Sequence, residues 1–318
     1  MFNRRDALKS AATAVGGFGL LSISSNAEEL AEKKAQPPVT KAEADFVETR
    51  DGVRLFYRDW GTRDRGTGKP VVFLAPWGLH SDWWQYQMAY LSAKGLRCVA
   101  FDRRGCGRSS EPRGGYDFDT LSDDLRVVLD YLGLADVMLV SQSMGAGEAV
   151  RYMTRHQGHA VKRLVFIAPN TPFVLKTADN PGGSDAAALE QIRISISTDL
   201  PGAVAAALPS FFGEQNKVSP EMQTWTGNMF GACSLRVLLE LQRMFSVVDF
   251  RPELRRINAP AIIFQGDHDT STTLGQCGRP TSELIRGSEL RVYENAAHGL
   301  PISHMARLNK DLEAFAAN

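Results

Sequence analysis

Short apolar segments alternate with longer amphipathic segments along most of the chain, and this alternation restricts the fold more than any other feature. Residues 71–75, 97–101, 137–140 and 161–168 each have the length and composition of a buried strand, and helix-like segments separate them. Parallel strands need crossover connections of this kind, and a sheet covered on both faces has nearly continuous apolar strands. The pattern predicts an α/β fold with a mostly parallel, twisted sheet between helices.

The alternation stops at residues 171–250 and resumes with an apolar segment at residues 261–265. We interpret the interruption as a mostly helical cap inserted into a core of residues 45–170 and 251–318. Residues 28–44 are polar, contain two consecutive prolines and are expected to form a linker. The cap is expected to cover the carboxyl ends of the strands, where open α/β sheets bind ligands. It is rich in aromatic residues, which include Phe211, Phe212, Trp225, Phe230 and Phe245.

The first 27 residues have the features of an export signal. Arg4 and Arg5 precede a weakly apolar run at residues 11–23, and residues 25–27 are small side chains of the kind that a signal peptidase reads. The segment resembles a twin-arginine signal, although Ala7 stands where these signals often have phenylalanine. The resemblance implies a periplasmic or secreted protein. An uncleaved anchor fits less well, because the apolar run is shorter than the roughly 20 residues that a membrane-spanning helix needs.

The charge balance argues against a polyanionic partner. The chain has 36 basic and 36 acidic residues, and the basic residues are scattered after the first ten positions, so neither nucleic acid nor an anionic membrane surface is expected to bind it. No metal-binding or nucleotide-binding motif is present, and we expect no cofactor. The oligomeric state is left open, as is the pairing of the four cysteines, Cys98, Cys106, Cys233 and Cys277.

A serine stands at the junction of a predicted strand and a predicted helix, in the segment LVSQSMGAG at residues 139–147. A tight strand–turn–helix with Ser143 at its apex and Gly145 two residues later would hold the serine in a strained conformation and expose its hydroxyl above the sheet. The usual pattern is Gly-x-Ser-x-Gly, and Ser141 replaces its first glycine. The segment predicts that Ser143 is a nucleophile, and the alternative is a turn residue without chemistry.

A serine nucleophile needs a histidine base oriented by a carboxylate. On an α/β sheet of this kind the chain order is Ser, then Asp or Glu, then His. Asp269 follows the strand predicted at residues 261–265, and His298 follows the next strand, on a loop before the last helix. Of the six histidines only His298 fits both the order and the loop. Asp267 is the alternative acid, and we expect it instead to cap the turn through backbone hydrogen bonds.

These segments together resemble the α/β-hydrolase superfamily, specifically its cofactor-free haloperoxidase and arylesterase-like branch, from about Phe46 to the C-terminus. The resemblance implies an α/β-hydrolase fold with Ser143 as nucleophile, Asp269 as acid and His298 as base. Members of the branch hydrolyse esters, and some also make peracids from hydrogen peroxide. The resemblance depends on Asp102-Arg103-Arg104-Gly105, the turn at Ser143, Gly266-Asp267-His268-Asp269, Gly278-Arg279-Pro280-Thr281 and His298-Gly299-Leu300.

Two backbone N–H groups are expected to form the oxyanion hole: that of Met144, which follows the nucleophile, and that of Trp77 in the loop after the third strand, at residues 71–75. Pro76 has no N–H and cannot serve. The indole of Trp77 either lines the acyl pocket or packs in the interior. The haloperoxidases that the chain resembles commonly have proline where this chain has Gly78. We expect Gly78 to leave the loop permissive, which would favour hydrolysis over perhydrolysis, and Gly78→Pro to raise peracid formation.

The sequence therefore predicts a serine hydrolase that cleaves carboxylic esters of small molecules by two-step acyl transfer. Perhydrolysis, lactone hydrolysis and carbon–carbon bond hydrolysis are alternatives on the same triad. A ligand-binding protein with a vestigial triad is the non-enzymatic alternative.

Overall fold

An eight-stranded sheet forms the centre of the computed structural model, which describes residues 45–61 and 69–317. Its strands are β1 (Phe46–Glu48), β2 (Arg54–Trp60), β3 (Pro70–Leu74), β4 (Arg97–Phe101), β5 (Val137–Gln142), β6 (Val161–Ile167), β7 (Ala261–Gly266) and β8 (Glu289–Tyr293). Their spatial order is β1-β2-β4-β3-β5-β6-β7-β8. Strands β1 and β2 form an antiparallel hairpin, β2 pairs antiparallel with β4, and every later pairing is parallel.

Helices connect the strands and cover the sheet. They are α1 (Gln85–Ala93), α2 (Phe118–Tyr131), α3 (Met144–Arg155), α4 (Ala186–Thr198), α5 (Leu200–Phe212), α6 (Pro220–Gly231), α7 (Leu235–Val247), α8 (Arg251–Leu254), α9 (Arg279–Leu284), α10 (Leu300–Ser303) and α11 (Met305–Ala317). None of those described is long and apolar enough to cross a bilayer.

The core consists of two apolar layers, one on each face of the sheet. Alternate residues of a strand point to opposite faces, so Val72 belongs to the layer that includes residues of α2 and α3, whereas Phe73 belongs to the layer that includes residues of α1 and α11. The amphipathic helices supply the rest of each layer, for example Leu125 from α2 and Leu312 from α11. The predicted α/β fold, with a mostly parallel sheet and helices on both faces, is confirmed.

The connection between β6 and β7 contains helices α4 to α7. Its helix α7 buries Val237, Leu238 and Leu241 against the core. A disulfide between Cys106 and Cys233 joins the loop after β4 to the segment between α6 and α7. The export signal and the linker that we predict at residues 1–44 lie outside the described residues.

Two cysteines are unpaired and buried, Cys98 on β4 and Cys277 before α9. Burial raises the pKa of the Cys98 thiol to about 12, and burial also raises the pKa of Cys277. Both thiols are therefore protonated at neutral pH and act as small apolar side chains.

Candidate active site

Strand β5 passes into α3 through Ser143, whose backbone angles are φ 51° and ψ −121°. Side chains other than glycine rarely adopt a positive φ, and such strain persists only where the surroundings enforce it. Here the N–H of Ser143 donates to the carbonyl of Ile167 at 3.1 Å, and its own carbonyl accepts from the N–H of Ala146 at 2.9 Å. Ser143 is half-buried between the fully buried Gln142 and Met144. The structure thus places Ser143 at the apex of a strained strand-to-helix turn.

Small residues let α3 approach the strand ends closely. A Cβ atom on Gly145 would lie 2.9 Å from the carbonyl oxygen of Leu74, so no larger residue fits without a shift. Ser141 occupies the position where the usual motif has glycine. Its buried hydroxyl donates to the carbonyl of Val165 at 3.1 Å. The departure from the motif is therefore accommodated by a satisfied hydrogen bond.

Asp269 and His298 form a buried pair. Asp269 Oδ2 lies 2.8 Å from His298 Nδ1, and the two residues are 4% and 5% exposed. Asp269 follows β7 and His298 follows β8, so both lie at the carboxyl ends of parallel strands, the same edge as Ser143. An ionised carboxylate at this place fixes the proton of the imidazole on Nδ1 and leaves Nε2 as an acceptor.

Asp269 remains ionised despite its burial. Burial alone would raise its pKa, but the attraction of His298 and the hydrogen bonds from His298, Thr272 and Ser271 hold the pKa below its ordinary value. The backbone N–H groups of Ser271 and Thr272 donate to Oδ1 at 2.8 and 2.9 Å, while Oδ2 faces the imidazole. The carboxylate is therefore charged at neutral pH and fixed in orientation.

The aspartate that caps the turn after β7 is not the one that we expected from the sequence. We expected Asp267 to cap this turn through backbone hydrogen bonds, but the carboxylate of Asp269 accepts those bonds. Asp267 Oδ1 instead lies 2.6 Å from Nδ1 of the exposed His268. The reason is geometric, because a carboxylate accepts most readily from the N–H groups two and three residues ahead, and from Asp269 those are Ser271 and Thr272.

Two polar side chains of this site were not anticipated from the sequence. The hydroxyl of Thr272 lies 3.0 Å from Asp269 Oδ2 and 3.1 Å from His298 Nδ1. Gln265 Nε2 donates to the same carboxylate oxygen at 3.2 Å and to the carbonyl of Thr272 at 2.8 Å. One sign of a special role for Gln265 was available from the sequence, namely that it is a polar residue within the apolar segment that forms β7.

Ser143 and His298 are linked through the residue before the serine. Gln142 Nε2 donates to the backbone carbonyl of His298 at 2.8 Å, and Gln142 Oε1 accepts from the indole of Trp83 at 2.6 Å. Within residues 45–61 and 69–317, no hydrogen bond joins the Ser143 hydroxyl to the imidazole. The structure therefore brings Asp269 and His298 together and ties the His298 loop to the serine turn.

The N–H groups of Trp77 and Met144 donate no hydrogen bond to any described residue. The side chain of Trp77 is firmly held, since its indole N–H donates to the carbonyl of Leu238 in α7 at 3.0 Å. The ring also packs edge-on against Phe230 and Phe245, with centroids 5.7 and 6.0 Å apart. Trp77 therefore attaches the loop after β3 to the inserted helices.

Gly78 does not make this loop permissive, and our expectation on that point is wrong. Its φ is +74°, and a Cβ atom would lie 2.1 Å from the ring of Phe230. Proline requires a φ near −65°, so the exchange Gly78→Pro is sterically excluded here. The glycine instead allows α6 to pack directly on the loop beside Trp77.

A cavity of about 370 Å³ opens beside Trp77 between α4, α5 and α6. Phe211, on its wall, packs edge-on against the His298 ring with centroids 5.4 Å apart, so one residue of the cavity wall contacts the buried pair. No charged side chain lines it, and only Gln191 and Ser195 are polar. Its apolar lining includes Ile192, Ile196, Val204, Leu208 and Phe230.

In the described ranges, no group of three or more His, Cys, Asp or Glu side chains is arranged to hold a metal ion.

Comparisons with known proteins agree with this architecture. Residues 69–304 match the family model described as alpha/beta hydrolase fold. The chain is 34% identical to the non-heme chloroperoxidase CPO-A1 of Kitasatospora aureofaciens, over 84% of this chain and 97% of that protein. It is 33% identical to the bifunctional esterase/perhydrolase DCH of Acinetobacter calcoaceticus, over 85% and 98%. The crystal structure of a bromoperoxidase from Bacillus anthracis superimposes with a TM-score of 0.80 at 30% identity, covering 86% of this chain and 100% of that one.

Proposed function

Since the chain belongs to the alpha/beta hydrolase fold family, we propose that it is a serine hydrolase that cleaves carboxylic esters through an acyl-enzyme on Ser143. The observation that carries the proposal is the 2.8 Å contact between Asp269 and His298, at the sheet edge where Ser143 occupies a strained turn. A relative that is named an esterase/perhydrolase gives further support.

In the proposed mechanism, His298 Nε2 takes the proton of the Ser143 hydroxyl as its oxygen attacks the ester carbonyl. Asp269 stabilises the imidazolium that forms, and the N–H groups of Trp77 and Met144 stabilise the tetrahedral oxyanion. The intermediate collapses as the carbon–oxygen bond to the alcohol breaks, and the alcohol leaves with the proton from His298. Water then attacks the acyl-enzyme by the same steps and releases the acid.

The cavity beside Trp77 supports an apolar, uncharged acyl group as the substrate class, because a carboxylate or ammonium would lose its hydration there without a charged partner. For aryl esters, we expect kcat/KM to rise from acetate to hexanoate by up to roughly fourfold per methylene, the value of about 0.8 kcal/mol for each buried CH₂.

A phenylalanine at Ala203, on the cavity wall, is expected to reduce hexanoate turnover and leave acetate turnover nearly unchanged. Ala206→Phe is the matched control, since Ala206 lies on the same helix and is exposed. Initial rates for both esters on the two variants test this prediction. An equal loss for acetate and hexanoate in Ala203→Phe would contradict the assignment of the cavity.

Perhydrolysis is the second candidate, favoured by relatives that are named chloroperoxidases. Hydrogen peroxide would attack the same acyl-enzyme in place of water and release a peracid. Our expectation that hydrolysis is the faster reaction depended on a permissive loop at Gly78. Since Phe230 packs against Gly78, the loop gives no reason to expect hydrolysis to be the faster reaction. Measuring acid and peracid from one acetate ester, with and without peroxide, decides between the two candidates.

We propose further that the protein is exported by a twin-arginine signal in residues 1–27. The disulfide between Cys106 and Cys233 supports an oxidising destination, because disulfides persist mainly outside the cytoplasm. Replacing both Arg4 and Arg5 with lysine is expected to leave the precursor in the cytoplasm, since a receptor reads the arginine pair as an address. Fractionation followed by immunoblotting measures this.

The control for the export prediction is the exchange of Lys33 and Lys34, in the predicted linker, for arginine, which should not alter export. Unchanged export after replacement of Arg4 and Arg5 would contradict the twin-arginine proposal.

A further inference from the structure

A buried ion pair joins Arg103, in the loop after β4, to Glu148, on α3. The two residues are 3% and 1% exposed. The contact is bidentate: Nε of Arg103 donates to Oε1 of Glu148, and Nη2 donates to Oε2 at 3.2 Å. Removing two charges from water costs free energy that their attraction does not reliably recover, so a buried pair is weak evidence for stability. Its other contacts indicate what it does.

The guanidinium of Arg103 also binds the loop that carries Trp77. Nη1 donates to the carbonyl of Pro76 at 3.1 Å, and Nη2 donates to the carbonyl of Ala75. A planar guanidinium with five N–H donors can serve a carboxylate and two carbonyls at once, which a lysine ammonium cannot do in the same geometry. Arg103 therefore bridges the loop after β3 and the helix that begins after Ser143.

The bound carbonyl of Pro76 determines where the N–H of Trp77 points. Both groups belong to one planar peptide unit, and the Pro76–Trp77 bond is not among the cis bonds of the described residues. In a trans peptide the carbonyl and the N–H point in opposite directions, so Arg103 directs the N–H of Trp77 away from itself. On the other side, Glu148 lies in the second turn of the helix that begins with Met144.

We propose that Arg103 and Glu148 are a positioning pair that sets the spacing and direction of the two oxyanion donors, the N–H groups of Trp77 and Met144. This inference rests on the proposed serine hydrolase function. A second contact between α3 and the end of β3 is the close approach of Gly145 to the carbonyl of Leu74. This contact limits how near the two segments can come, whereas the ion pair limits how far apart they can move. Because both residues of the pair are buried, it is expected to act through the backbone amides and not by contact with substrate.

The test replaces the pair by apolar residues, Arg103→Met with Glu148→Met, which removes both charges and leaves neither buried alone. We expect kcat for an aryl ester to fall about 100-fold, the scale of losing or displacing one oxyanion donor, with KM nearly unchanged. The inhibition constant of an aryl trifluoromethyl ketone, whose hemiketal with serine bears an oxyanion, should weaken by a similar factor. A purely structural role would not produce this parallel loss.

Arg104 and Asp124 provide a matched control. This pair is equally buried and bidentate, at 2.6 and 2.7 Å, but Arg104 binds Asp51 as its other partner and not the loop after β3. Arg104→Met with Asp124→Leu should therefore alter stability without a change in kcat or in ketone affinity. Circular dichroism and thermal melts establish that the variants are folded.

A folded Arg103/Glu148 double variant with undiminished kcat would overturn the positioning role while leaving the proposed function intact. Should that variant fail to fold, Glu148→Gln takes its place, because it keeps the shape and weakens the bridge. A roughly tenfold loss of kcat at constant KM then supports the inference, and an unchanged kcat overturns it. Absence of any Ser143-dependent ester turnover in the wild type would contradict the proposed function, and the positioning role with it.

Discussion

Purified Ser143→Ala protein is expected to fold normally and to lose on the order of 10⁶ in kcat for aryl esters, as other serine triads do when the nucleophile is removed. The loss is large because the hydroxyl forms the covalent intermediate, and no other group of the site can replace it. Alanine keeps the Cβ and the backbone hydrogen bonds that hold the turn, so the fold should remain. The measurement is kcat on an activated aryl ester, with substrate-free and enzyme-free blanks.

Ser141→Ala is the control for this experiment. Ser141 lies two residues before Ser143, and among the described residues the one hydrogen bond of its buried hydroxyl is to the carbonyl of Val165. Its removal should cost about 1 kcal/mol of stability and little activity. Retained ester turnover in Ser143→Ala would contradict the mechanism. No turnover in the wild type would favour a ligand-binding protein with a vestigial triad.

Asp269→Asn is expected to reduce kcat by roughly 10⁴ and to leave the fold intact. The ionised carboxylate keeps the proton of His298 on Nδ1, whereas an asparagine amide can donate to Nδ1 and stabilise the tautomer that cannot accept the proton of Ser143. The amide oxygen can still accept the backbone N–H groups of Ser271 and Thr272, which preserves the turn. Steady-state kinetics between pH 6 and about pH 9 measure the loss.

Asp267→Asn is the matched control, two residues away in the same turn. Its carboxylate pairs with the exposed His268, and an exposed pair contributes little to stability. We expect both activity and stability to stay near those of the wild type. A large loss in Asp267→Asn together with a small loss in Asp269→Asn would show that the acid has been assigned to the wrong aspartate.

The elements of the sheet could be predicted from the sequence because each depends on local pattern. Apolar segments near residues 71–75 and 261–265 became β3 and β7 with boundaries shifted by about one residue. The order of serine, aspartate and histidine at successive strand ends likewise led to Asp269 and His298, which the structure brings into contact.

The contacts that the sequence did not predict join residues distant in the chain. Arg103 reaches the loop after β3 because β4 lies beside β3 in the sheet, and Glu148 reaches Arg103 because α3 follows β5, on the other side of β3. Local pattern contains no information about such an order. The position of Phe230 against Gly78 depends in the same way on how the inserted helices fold back on the core.

Labelling with a fluorophosphonate tests directly whether Ser143 is the nucleophile, because the reagent forms a covalent bond with an activated serine. We expect one adduct per chain in the intact mass of the wild type, located on Ser143 by peptide mapping. Labelling should be strongly reduced in Asp269→Asn and absent in Ser143→Ala. An adduct on another residue, or ester turnover in a wild-type protein that does not label, would contradict the assignment of Ser143 as the nucleophile.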